Sequence, residues 1–179
     1  MILEGDKTEL WDVYDQNRVK TGETMIRGHE FEEGAHHMVI HVCIFNSQGK
    51  MLIQQRQSFK EVWPNMWDFT AGGSALVNES SVEAAEREVF EEIGYKVDLH
   101  NKRPYFTINF KNGFDDFYLI KADVDLNTLK LQYEEVQNVK YADKYEIITM
   151  INDGCFIPYY RSFVDLLFEM KDNNIGLHH

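Results

Sequence analysis

Disulfides have little to offer this chain, because Cys43 and Cys155 are its only cysteines among 179 residues. Two are too few for the cross-linked framework of a small secreted domain, and they read as reduced thiols of a cytosolic protein. Basic residues are also scarce, 18 Lys and Arg against 30 Asp and Glu, for a formal net charge of −12. That balance argues against nonspecific binding to nucleic acid or to an anionic membrane. It also repels a phosphorylated ligand unless bound cations and local arginine or lysine reverse the field. No apolar run is long enough to span a bilayer, and acidic residues from Glu4 onward argue against a secretory leader. Repeats and linkers are missing too. What is present is a hydrophobic content of 44%, with 13% aromatics, enough for one folded domain over residues 1–179. The terminal pair His178-His179 reads equally as native sequence or as the remnant of a tag.

The periodicities order the elements. Leu10 to Asp15 and Thr24 to Gly28, around the polar segment 16–22, read as a small hairpin. His37 to Asn46 is a strong β-run, 47–50 a turn, and Met51 to Arg56 its partner strand. Pro104 to Asn109 and Phe114 to Ala122 flank Lys111-Asn112-Gly113, a second hairpin signal. Gln137 to Tyr141 reads as a short strand, and Lys144 to Asp153 and Tyr159 to Asp172 as helices. Phe163, Leu166, Leu167 and Met170 are spaced for burial in the last of them. Mixed strands with helices on both faces predict an α/β/α sandwich.

The densest chemical signal lies in GSALVNESSVEAAEREVFEEIGY, from Gly73 to Tyr95. Ser80 and Glu83 form a capping box at a helix start, and Gly94 is a natural stop. Between them Glu88, Glu91 and Glu92 fall at i, i+3 and i+4 and share one helix face, where like charges repel. Hard divalent cations with oxygen ligands turn that repulsion into binding. Val82, Ala85, Val89 and Ile93 lie on another face, suited to a sheet. A solvated acidic face explains the three glutamates. It does not explain Gly73, Glu79, Arg87 and Gly94 in register with them.

The spacing G-x5-E-x7-R-E-U-x-E-E-x-G-U, with U a bulky apolar residue, resembles the box of the Nudix hydrolases. Tyr95 is its one mild departure. The resemblance implies a Nudix-type α/β/α sandwich with a mixed sheet and a small N-terminal hairpin, the box at 73–95, an N-terminal extension over 1–36 and a C-terminal helix at about 159–172. It implies cleavage of a diphosphate linkage in a small molecule, with Mg²⁺ or Mn²⁺. Glu88, Glu91 and Glu92 would be side-chain ligands, Gly72 or Gly73 would lend a backbone carbonyl, and Arg87 would orient the glutamates through Glu79 or Glu91. The general base would be a box glutamate or a downstream one. Glu134 and Glu135 fit the downstream position, and read equally as loop surface. A homodimer is expected by analogy alone.

TELWDVYDQNRVKTGETMIRG, HHMVIHVCIFNSQGKMLIQQR and KEVWPNMWDFTAGGS are further similar to type I isopentenyl-diphosphate isomerases and to hydrolases related to them. That similarity implies Arg56 and Lys60 as diphosphate contacts. It fails at the isomerase centre, where a cysteine and a histidine are needed and Gly72 and Ser74 stand. Cys43, in the preceding strand, reads as a buried small apolar residue. His29, His36 and His37 fall near isomerase metal-binding histidines, and are read here as structural or substrate-contacting. Trp63, Trp67, Tyr105 and Phe106 read as core aromatics or as a stacking surface for a ring. The expected activity is hydrolysis of a nucleoside diphosphate linked to another group, or of a related organic diphosphate. An isomerase and a non-catalytic ligand sensor are the alternatives.

Overall fold

Alternation along one strand sets the two layers of core. The computed structural model describes residues 9–172, so Glu4 and His178-His179 lie outside the described residues. Strand β3 (His37–Phe45) sends Met38, Ile40, Val42 and Ile44 to one face of the sheet, and Cys43 and Phe45 to the other. This is the two-residue period of a strand buried on both sides. Helix α1 (Ser81–Ile93) covers the first face with Ala84, Ala85, Val89 and Ile93. Helices α2 (Lys144–Asn152) and α3 (Arg161–Met170) cover the second with Ile147, Ile148, Met150, Val164, Leu167 and Phe168. The expected α/β/α sandwich with a mixed sheet is the observed one.

The sheet is split at the place that matters. Strand β4 (Met51–Arg56) pairs with β3 only at Ile44–Leu52 and Phe45–Met51, next to the turn. Beyond that the chain from 67 to 74 enters as a wedge. Its first part, β5 (Trp67–Asp68), pairs with β4, and its second, β6 (Ala71–Ser74), pairs with β3. Thr70 closes the gap: the Ile44 amide donates to its hydroxyl at 2.9 Å, and that hydroxyl donates to the Leu52 carbonyl. Two buried backbone groups that have lost their ladder partners are thereby satisfied. On the outer side of β3 lies β8 (Gly113–Lys121), parallel to it, followed by β7 (Phe106–Phe110), while β9 (Val136–Ala142) runs along β4.

The expected N-terminal hairpin is formed by β1 (Leu10–Tyr14) and β2 (Lys20–Ile26). The second strand begins earlier than read, at Lys20, because its residues through Glu23 are exposed and lack the apolar alternation that marks a strand. The second hairpin turns through Lys111-Asn112, and neither Asn112 nor Gly113 takes the positive φ of an Asn-Gly turn. Gly113 is needed for space instead: a Cβ there would collide with the His37 carbonyl and the Phe110 ring. Helix α3 packs on the core through three of the four expected residues, Leu167 buried and Phe163 and Met170 partly buried; Leu166 is exposed, and Val164 and Phe168 are buried in addition.

His37 ties the hairpin to the sandwich. Its imidazole stacks on Trp11 with ring centroids 4.5 Å apart, and meets Phe31 and Phe110. Burial drives its pKa down to about 4, against a weaker pull from Asp115. The unfolded chain takes up this proton near pH 6.5 and the folded chain near 4. The stability is therefore intact above pH 6.5 and lost as pH falls from 6.5 to about 4. We expect a contribution of about 3 kcal/mol to vanish across that window. Urea midpoints at pH 7 and 4.5 should converge for His37→Phe relative to wild type; parallel losses in both would contradict this assignment.

Candidate active site

The capping box predicted at Ser80 and Glu83 is formed in both directions, and Gly94 ends α1 at φ 68°. Helix α1 is thus fixed at each end, and its polar face looks across the split in the sheet. Glu92 is buried (3% exposed) although it is charged in sequence. Gln54 of β4, equally buried, donates its Nε2 to Glu92 Oε2 at 2.8 Å, while its own Oε1 has no partner. Burial pushes the Glu92 carboxyl well above the usual glutamate range, and the charges of Glu88, Glu135 and Asp68 add to this. Burial also raises Glu88, with the Arg87 guanidinium opposing it.

Arg87 binds most of the cluster at once. Its Nε and Nη2 reach the two oxygens of Glu79 at 2.6 and 2.9 Å, and Nη1 reaches Glu88 at 2.8 Å and Glu91 at 3.0 Å. Nη2 also donates to the Ser74 carbonyl at 3.0 Å. Burial works against this cation, but its hydrogen bonds to the glutamates and the charge of Glu88 outweigh it and raise its pKa. Glu79 accepts in turn from the Leu76 amide, which pins the loop between β6 and α1. Gly73 permits the close approach of that loop to the helix, since a Cβ at 73 would overlap the Glu88 carboxylate.

These groups border a cleft of about 170 Å³. Helix α1 contributes Arg87, Glu88, Glu91 and Glu92, and β6 contributes Gly72, Gly73 and Ser74. From across the split come Arg56 and Lys60, with Gln132 and Glu135 from the loop before β9. Lys60 Nζ meets the Glu135 carboxylate at 2.6 Å, while Glu134 is exposed outside the lining. The N-terminal hairpin adds Glu9 and Arg27, paired at 2.8 Å. Of the residues singled out from the sequence, Arg56, Lys60, Gly72, Gly73, Arg87, Glu88, Glu91, Glu92 and Glu135 therefore face one cleft, and Glu134 does not. The cleft's basic and acidic side chains nearly balance, in a chain of net charge −12. Among the described residues no three His, Cys, Asp or Glu side chains already converge as a cation cage. Arg87 bridges Glu88 and Glu91 instead.

Sequence reading missed Gln54, Gln132, Glu9 and Arg27. Their only signal was position, on segments that the fold brings to α1. The three histidines lie elsewhere. His36 stacks on Phe114, His37 on Trp11, and His29 borders a separate cavity against β2. Cys43 is fully buried in the second core, where burial pushes its thiol up, and both cysteines are free. Trp67, Tyr105 and Phe106 pack against that core, whereas Trp63 is exposed. On the far side of β6, His41 Nδ1 pairs with Asp115 at 2.8 Å. A Cβ at Gly72 would sit 2.8 Å from the His41 Cδ2, so a cysteine there requires the ring to move.

A family model described as the NUDIX domain matches residues 35–154. A Listeria innocua protein named an uncharacterized Nudix hydrolase is 49% identical over 92% of this chain and 96% of its own length. An isopentenyl-diphosphate Delta-isomerase of Halorhodospira halophila is 36% identical, over only 44% of each chain. A Deinococcus radiodurans crystal structure superposes with a TM-score of 0.71 at 20% identity, covering 90% of this chain and 98% of that one. That last likeness concerns the fold alone.

Proposed function

The chain belongs to the Nudix family of hydrolases and acts on a diphosphate-type substrate; from that premise we propose a divalent-metal-dependent enzyme for nucleoside diphosphates linked to another group, or for related organic diphosphates. One observation carries the reading: the carboxylates of α1 and the basic pair Arg56 and Lys60 face the same cleft. The donor set fits a hard cation, since it consists of carboxylates and backbone carbonyls with no thiol or imidazole. The orphaned Oε1 of Gln54 marks a polar group still wanting a donor beside Glu92. Glu88, Glu91, Glu92 and the Gly72 carbonyl would hold Mg²⁺ or Mn²⁺. When bound, the cation neutralises the diphosphate and makes the attacking water more acidic.

The chain's own residues do the rest. Arg56 and Lys60 bind and orient the phosphates. Arg87 keeps Glu88 and Glu91 in place and leaves the substrate to the others. A phosphate entering the cleft draws Lys60 away from Glu135, and the freed carboxylate takes the proton of the attacking water. The new P–O bond forms as the bridging P–O bond breaks, and two phosphorylated fragments leave. The family model ends at 154, and we read residues 1–179 as one Nudix domain, whose N-terminal extension closes one wall of the cleft. Among the described residues, no helix is long and apolar enough to cross a membrane.

The isomerase alternative lacks its cysteine, and His41 crowds the position where that side chain would stand. A Mg²⁺/Mn²⁺ turnover screen against organic diphosphates, with products identified by mass, tests the reading. Two phosphorylated fragments support it. A product of unchanged mass from isopentenyl diphosphate points to the isomerase, and binding without turnover points to a sensor.

A further inference from the structure

Four exposed apolar side chains lie on the two loops that bring Lys60 and Glu135 to this cleft. Phe59, Val62 and Trp63 on the loop 57–66 are 54%, 61% and 44% exposed, and Tyr133 on the loop before β9 is 72% exposed. The Phe59 and Tyr133 rings face each other across the two loops, with centroids 5.7 Å apart and a tilt of 42°. Nothing among the described residues covers them. Single exposed apolar residues are ordinary, but four on two adjoining loops form a patch.

The loops that carry this patch are held firmly, and by polar bonds. Arg56 Nε donates to the Val62 carbonyl at 3.2 Å, and Gln55 Nε2 to the Asn65 carbonyl at 3.0 Å. Gln137 Nε2 holds Asn65 Oδ1 at 3.0 Å. The loops are joined by the Gln57 amide on the Glu135 carbonyl and by the Lys60–Glu135 ion pair. Trp63 and Asn65 sit in the left-handed region, at φ 53° and 60°, which a tryptophan adopts only under constraint. The backbone is thus fixed in a form that turns its apolar side chains outward. Lys60 and Glu135, whose neighbours form the patch, line the diphosphate cleft itself.

We propose that Phe59 and Tyr133, with Trp63 on the same loop as Phe59, form a stacking rim for a planar ring attached to the diphosphate. This rests on the hydrolase reading and adds to it where the organic group lies. Aromatic faces suit a flat heterocycle, and every base has such a face, so stacking recognises a ring while discriminating weakly between bases. Gln137 Nε2 is already engaged with the Arg56 carbonyl and with Asn65 Oδ1. Trp67, Tyr105 and Phe106, the other candidates, are committed to the core.

The test compares ADP with isopentenyl diphosphate, which present the same terminal diphosphate on a ring-bearing and a ring-free group. In Phe59→Leu/Tyr133→Leu, which keeps apolar bulk without flat rings, kcat/KM for ADP should fall about tenfold or more, mainly through KM. The fall for isopentenyl diphosphate should be several-fold smaller. Equal losses on both compounds, or no loss on ADP, would overturn the rim. If the wild type cleaves neither compound, the hydrolase reading is decided by the wider diphosphate screen and not by this pair. The rim is then read from calorimetric Kd values for ADP with Mg²⁺, where equal values in both proteins, or no binding at all, overturn it. Dissociation of a wild-type dimer in the double variant would also overturn it, giving the patch to a second copy of the chain.

Discussion

Glu92→Gln should lower kcat by about a thousandfold while the protein remains folded. The magnitude follows from the several kcal/mol of transition-state charge stabilisation that a bound cation supplies, at 1.36 kcal/mol per tenfold. Glutamine matches the shape of the side chain, and the Gln54 amide can still bond to its carbonyl oxygen in place of Glu92 Oε2. What disappears is one anionic oxygen donor in a buried position. Stability should not suffer, because the substitution removes a carboxylate whose charge is disfavoured by burial and by Glu88, Glu135 and Asp68. Steady-state kinetics together with a thermal melt separates the two effects. Full activity in this variant, with metal still required, would mean that the ligands lie elsewhere.

Arg87→Ala should produce the largest loss of stability, about 3 kcal/mol. One guanidinium holds Glu79, Glu88, Glu91 and the Ser74 carbonyl, and its side chain is 19% exposed. Deleting it leaves carboxylates facing one another without their cation, and breaking such a buried pair costs about 3–5 kcal/mol. The lower end applies here because Glu91 is half exposed and solvent softens its share. Arg87→Lys should recover little, since a single ammonium cannot reach three carboxylates and a carbonyl from one point. Urea unfolding of wild type and both variants measures this. A loss below about 1 kcal/mol would show that the network is surface decoration.

The local part of the site was legible because it is written on one helix. Capping residues, the spacing of three glutamates and the closing glycine all depend on neighbours within a few turns. Arg56, Lys60 and Glu135 came from resemblance, and the fold places all three at the same cleft. Gln54, Arg27 and Glu9 were not legible. Each is brought to α1 by strand pairing, and nothing in its own segment marks it out. Glu92 illustrates the same limit. Helical spacing put it on an acidic face, yet the wedge at Thr70 brings β4 close enough to bury it against Gln54. The strands with alternating or continuous apolar residues were found, and β2 was misplaced because its exposed first half carries no such pattern. In α3 Phe163, Leu167 and Met170 were read correctly and Leu166 was not; Val164 and Phe168 complete the buried face, the latter against Phe45.

The central claim is that the carboxylates of α1 hold the cation that drives diphosphate cleavage. Calorimetric titration of metal-free wild type and Glu92→Gln with Mn²⁺ tests it most directly, without needing to know the substrate. The account predicts saturable binding to the wild type, weakened about tenfold or more in the variant. Equal affinity in the two proteins would contradict it.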